Sequence, residues 1–144
     1  MRCSDKGIDL IKSYEGLRLQ SYDDGGGVWT IGYGSTSGVT PGMTIDEAEA
    51  TRLLKSDLMT AEQCVDEAVE VEVTQHQFDA LVSFVFNVGC QAFQNSTLLK
   101  LLNGGNTEAA AQQLLRWTKD NGKVLAGLEK RRASERELFL TQVA

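Results

Sequence analysis

Glu15, Asp24 and Thr30 fall within one short stretch, Ser13 to Gly34, and their types suit chemistry at a glycosidic bond. One carboxylic acid protonates the bridging oxygen on one side, while a second carboxylate and a hydroxyl hold positive charge and a water on the other. A general acid working near neutral pH needs partial burial, or another influence that favours its protonated form. Each residue also has a plain structural use. Glu15 can pair with Arg18 on a surface, Asp24 can bond its own backbone beside three glycines, and Thr30 is a good strand residue. Asp23 is adjacent to Asp24 and chemically equivalent.

The elements around these residues are legible from pattern. Ile8, Leu10, Ile11 and Tyr14 form an apolar helical stripe, with Ser4 or Asp5 as N-cap and Gly16 as its stop. Leu17, Leu19, Tyr22, Val28, Trp29, Ile31 and Tyr33 favour strand, and Gly25-Gly26-Gly27 supplies a hairpin turn. Thr44-Ile-Asp-Glu47 matches a capping box ahead of a long helix running to about residue 70. Thr74-Gln-His-Gln77 is a second capping box, before a helix that is apolar nearly all round and stops at Gly89. Ser96 caps a short helix, Asn106 caps Thr107–Trp117, and a polar loop over 118–126 precedes a last helix over about 128–141. The sum is α+β, mainly helical, with one small sheet and no βαβ alternation. One domain over 1–144 is expected: a first lobe at about 13–60 carrying the sheet, and a second at about 61–144 joined by the N-terminal helix, 1–12.

With 42% hydrophobic residues among 144, the chain is compositionally able to fill a core. No apolar run reaches membrane-spanning length, so no stable membrane insertion is expected, and the N-terminus carries no apolar signal region. The net charge of −6 argues against general nucleic-acid binding. Cys3, Cys64 and Cys90 match neither a paired framework nor a metal spacing, and reduced thiols are expected. No metal and no cofactor are expected. Trp117 and Phe84 read as core aromatics, and His76 as part of a capping turn.

Several landmarks occur together in order: Glu15-Gly-Leu-Arg-Leu19, Tyr22, Thr30-Ile-Gly-Tyr-Gly34, Gln77-Phe-Asp-Ala-Leu81, Phe86-Asn-Val-Gly89, Phe93-Gln-Asn-Ser96, Arg116-Trp117 and Arg131-Arg132-x-x-Glu135. In this the chain resembles the phage-type lysozymes, glycoside hydrolase family 24, over nearly its whole length. The family's Glu, eight residues, Asp, five residues, Thr motif selects Asp24 over Asp23. The resemblance implies a lysozyme-like fold, a sheet-bearing lobe and a helical lobe joined by a long helix, with a glycan cleft between them. It implies a muramidase cleaving the β-1,4 bond between N-acetylmuramic acid and N-acetylglucosamine, and an inverting reaction in which a water attacks. In that scheme Glu15 is the acid, Asp24 stabilises charge or orients water, and Thr30 positions the water.

Tyr22, Trp29 and Tyr33 are candidates to line the sugar site. Asn87, Gln94, Asn95 and Ser96 are candidates to bind N-acetyl groups or hydroxyls, although Asn95-Ser96 also suits a helix cap. Arg131 or Arg132 is expected to face Glu15, the alternative being an i,i+4 pair of Arg131 with Glu135. Many relatives place His where this chain has Ser35, so a stabilising pair is expected to be lost there. The implied partner is bacterial peptidoglycan, met by a monomer held in the host cytoplasm until a holin releases it, with host lysis as the outcome. A lytic transglycosylase acting on the same bond and a non-catalytic glycan-binding domain are the competing readings.

Overall fold

The computed structural model describes residues 1–141; positions 142–144 of the expected domain lie outside the described residues. The first helix, α1 (Asp5–Glu15), buries Gly7, Ile8 and Ile11 and stops at Gly16, whose φ of 73° suits glycine. A Cβ on Gly7 would lie 2.7 Å from the Cβ of Asp79, so only glycine allows this approach of α1 to the central helix. The hairpin follows at once. Strands β1 (Arg18–Asp23) and β2 (Trp29–Gly32) are antiparallel, pairing Tyr22 with Thr30 and Asp23 with Trp29.

Helix α2 (Glu47–Ala68) leaves the hairpin and runs into the helical part. Its cap departs from the expected Thr44–Glu47 box: Asp46 is the N-cap and accepts from the Glu49 amide at 2.8 Å. The helix starts two residues later because Thr44 and Ile45 are held extended against β1, by a bridge of Thr44 with Gln20 and a bond from the Ile45 amide to the Leu19 carbonyl. Ser35, the position where a stabilising pair was expected to be lost, donates to Asp57 of α2 at 2.6 Å. A neutral donor thus still ties the hairpin to this helix.

Helix α3 (Gln75–Val88) is the centre of the core, packed against α1, α2, α4 and α7, with Phe78 through Val85 all buried. The Thr74–Gln77 capping box forms as expected. Three short helices follow: α4 (Cys90–Gln94), α5 (Thr97–Asn103) and α6 (Thr107–Leu114). α6 ends earlier than expected, and its Asn106 makes no side-chain cap. The segment expected as a polar loop is a small hairpin, β3 (Lys119–Asp120) with β4 (Lys123–Val124). Asn121 and Gly122 turn it with φ of 50° and 78°. Without apolar alternation beside it, the Asn-Gly turn signal is weak. Helix α7 (Ala126–Leu140) then returns along α3, α6 and α1.

The cysteines differ from expectation. Cys64 and Cys90 form a disulfide between α2 and α4, with Cα atoms 6.0 Å apart. The 26-residue separation carries no local signal, and the pairing depends on α4, which has no periodic pattern of its own. Cys3 is free and buried. Burial, reinforced by Asp79 and Glu62, pushes its thiol well above the ordinary range, so it packs as an inert apolar group. Among the described residues no helix is long and apolar enough to cross a membrane.

Closing a loop of this length restricts the unfolded chain by about 3 kcal/mol in the loop-entropy account. A Cys64→Ser/Cys90→Ser variant is therefore expected to melt about 10 °C below the parent. Differential scanning calorimetry of both proteins without reductant checks this; equal midpoints would show that the bridge adds nothing.

Candidate active site

Glu15 ends α1 and stands immediately before the hairpin. Its side chain is 21% exposed, and its Oε1 accepts from Arg131 Nη1 at 3.0 Å. Of the two candidate arginines, Arg131 is the one that meets Glu15. Its guanidinium is almost fully enclosed, and every nitrogen has a partner. Nε donates to Glu135 at 3.3 Å, and Nη2 donates to the Ser83 carbonyl at 3.2 Å. The ring of Tyr14 lies 5.8 Å from its centre. A planar fork held on all sides presents one fixed N–H to Glu15.

Arg132 does not reach Glu15. It is buried, donating to Glu135, to the Asn87 side-chain oxygen and to the Trp117 carbonyl. Its burial pulls its pKa down, opposed by Glu135, yet an arginine stays charged in this range. The expected i,i+4 pair of Arg131 with Glu135 exists as well, so the two readings of that pattern hold together.

The hairpin places Asp24 at its tip. Asp24 Oδ1 accepts from the Gly26 and Val28 amides at 2.8 and 3.2 Å, and Asp23 Oδ1 accepts from those of Gly25 and Gly27. Both aspartates therefore brace the glycine turn. Among the described residues, Oδ2 of Asp24 has no hydrogen-bond partner and Asp24 is exposed, leaving one oxygen free for chemistry. Strand alternation puts Tyr22 and Thr30 on one face, which extends toward Asp24, and Asp23 with Trp29 on the other. Thr30 is buried, its hydroxyl donating weakly to the Val28 carbonyl at 3.3 Å, which leaves its lone pairs open.

The outer candidates divide. Tyr22 is half-buried beneath Arg18, 4.8 Å from ring centre to guanidinium. Tyr33 does not line a sugar site: it is 4% exposed within the core, because Gly32 and Gly34, with φ of 67° and 97°, turn the chain inward around it. Ser96 is consumed as a cap, donating to the Phe93 carbonyl and accepting from the Leu99 amide. Gln94 and Asn95 are exposed and line a cavity of about 590 Å³ with Glu70, Lys100 and Asn103, none of it formed by Glu15, Asp24 or Thr30. Asn87 lines a different depression of about 460 Å³ with Trp117, Lys119, Leu125, Leu128 and Arg132. Trp117 packs edge-on to Phe84 at 5.3 Å, as a core aromatic does, and also reaches that depression.

Sequence reasoning passed over Ser83, Tyr14 and Ser134. Tyr14 Oη donates to the Lys130 carbonyl at 3.0 Å and meets Ser134 Oγ at 2.6 Å, pinning the end of α1 to α7. The signal for Ser83 was present: Gln75, Asp79, Ser83 and Asn87 recur every fourth residue, a polar seam along an otherwise apolar helix.

A family model described as phage lysozyme matches residues 12–135. The endolysin of Bacillus phage B103 is 50% identical over 98% of this chain, which spans only 55% of that relative's length. The endolysin of Salmonella phage P22 is 43% identical over 98% of this chain and 99% of its own. Among solved structures, the muramidase domain of SpmX from Asticaccaulis excentricus superposes with a TM-score of 0.92 at 45% identity, covering 98% of this chain and 99% of that one.

Removing one partner of a buried ion pair leaves the others uncompensated, at a cost of about 3–5 kcal/mol. Arg131→Met is expected to destabilise by that amount, whereas Arg52→Ala, which breaks the exposed Arg52–Glu49 pair, leaves the urea midpoint unmoved. Equal urea midpoints for Arg131→Met and the parent would contradict the buried pairing.

Proposed function

The chain belongs to the phage lysozyme family, and on that footing we propose that it is a peptidoglycan hydrolase, an endolysin-type muramidase. The observation that carries this reading is Glu15, held by an enclosed arginine at the foot of a hairpin whose tip leaves one Asp24 oxygen free. Glu15 donates its proton to the oxygen between N-acetylmuramic acid and N-acetylglucosamine. The free oxygen of Asp24 faces the positive charge that grows at the anomeric carbon, and Thr30 holds the attacking water on the opposite side. Attack by water on the far face inverts the anomeric centre. Tyr22, on the same hairpin face as Thr30, extends the glycan site beyond the three chemical residues. The family match and the endolysin relatives support hydrolysis over the transglycosylase and non-catalytic readings.

For delivery to the wall, we infer that a monomer accumulates in the host cytoplasm and leaves through a holin pore. The Cys64–Cys90 bridge suits an oxidising compartment, as the periplasm is.

Two measurements test these readings. Glu15→Gln is expected to fall at least about a hundredfold in the rate of wall clearing, the usual scale for a lost general acid. NMR of parent digests is expected to show new muramic ends as the α anomer. Clearing by Glu15→Gln at the parent rate, or anhydro ends, would overturn the assignment. Fractionation of host cells before and after holin triggering is expected to move the protein from cytoplasm to periplasm; periplasmic protein before triggering would refute holin dependence.

A further inference from the structure

Glu135 is fully enclosed, and its hydrogen bonds go neither to the hairpin nor to Glu15. Its Oε2 accepts from Ser83 Oγ at 2.6 Å and from Arg131 Nε at 3.3 Å, and its Oε1 accepts from Arg132. It is thus the shared counter-ion of two adjacent buried arginines, one of which is the direct partner of Glu15. We propose that Glu135 is a positioning residue for the acid: it fixes Arg131 and sets how much positive charge Arg131 and Arg132 present to Glu15. This inference rests on the reading of Glu15 as the general acid.

A cation beside a carboxylate favours the ionised form, which is the wrong form for a proton donor. Without compensation, Arg132 beside Arg131 would add to the positive charge presented at Glu15. Glu135 offsets one of the two charges, and with Glu15 itself the four groups sum to zero. The same contacts give geometry, since Arg131 is aimed at Glu15 only while Glu135 and Ser83 hold its other nitrogens.

The remaining groups facing this cluster do not supply that offset. From α3, Ser83 and Asn87 are neutral, and Asp79, one turn earlier, is bound to Ser4 and Gln75 instead. From α1, Tyr14 contributes its ring and its hydroxyl bonds to Lys130 and Ser134. Next to β3, Trp117 offers a carbonyl to Arg132. Glu135 is the carboxylate that balances the two guanidinium groups within the helical core.

Opposite charge changes make opposite predictions, and these separate the proposal from a merely structural role. Peptidoglycan turnover (kcat/KM) is measured against pH for the parent, E135Q, R132Q, the double variant and E15Q, with folding checked by near-ultraviolet circular dichroism. Removing the negative charge in E135Q is expected to move the alkaline limb down by about one pH unit, and removing a positive charge in R132Q to move it up by a similar amount. The double variant, which removes one charge of each sign, is expected to return the limb to the parental position. If E135Q does not fold, the upward shift of R132Q carries the test alone. A limb that stays at the parental pH in a folded single variant, or shifts of the same sign, overturns the proposal. An E15Q variant that turns over like the parent would instead overturn the assignment of the acid, so the two failures are distinguishable.

Discussion

Two arginines lie side by side in the interior of this chain, and the buried carboxylate of Glu135 is what permits it. An isolated guanidinium in a packed core is expensive, and a buried ion pair often adds little stability over apolar residues of the same size. The cluster is therefore poorly explained as a device for stability. What it provides is a cation of fixed direction. An exposed arginine spends its freedom among many rotamers, whereas Arg131 has each nitrogen bonded and a tyrosine ring at its face. The C-terminal half of the polar seam of α3 serves the pair, since Ser83 receives a donor from Arg131 and Asn87 one from Arg132.

The hairpin solves a different problem, namely how to hold a carboxylate at an exposed tip without a core around it. Its solution is local. Four backbone amides of the turn are bonded by Asp23 and Asp24, one oxygen from each. At Asp24 the turn takes up only one oxygen, so a turn aspartate and the proposed second catalytic carboxylate are not exclusive readings. One oxygen fixes the loop and the other remains available. Thr30 gains its rigidity from strand pairing with Tyr22 and from burial.

What could be read from sequence was what local rules decide. The hairpin turn, the Thr74 box, the Gly89 stop and the apolar α3 follow from neighbouring residues alone. Where the outcome depends on how helices dock, the reading ran out. Arg131 and Arg132 differ by about 100° around α7, and only the packing of α7 on α3 and α1 decides which meets Glu15. The Cys64–Cys90 bridge, which joins α2 to α4, shares that cause, whereas the capping duty of Ser96 followed from its local rule. Asp46 displaced the expected cap because both candidates obey the same capping rule and a two-residue offset is within its resolution.

Glu15 is also held from the other end of its helix. At the start of α1, the Ser4 amide and hydroxyl bond Asp79, the Cys3 amide bonds Glu62 at 2.6 Å, and Gly7 lets the backbone settle against Asp79. At its finish, Tyr14 and Arg131 tie it to α7. Eleven residues make a lever about 16 Å long. A tilt of only about 5° at the start would carry the carboxylate about 1.4 Å, enough to break a 3.0 Å contact with Arg131. Anchoring at one end would leave that tilt free. The acidic residues buried around Cys3, remote from any sugar, therefore belong to the same design as Glu135: one cluster fixes where α1 begins, the other fixes what its last side chain meets.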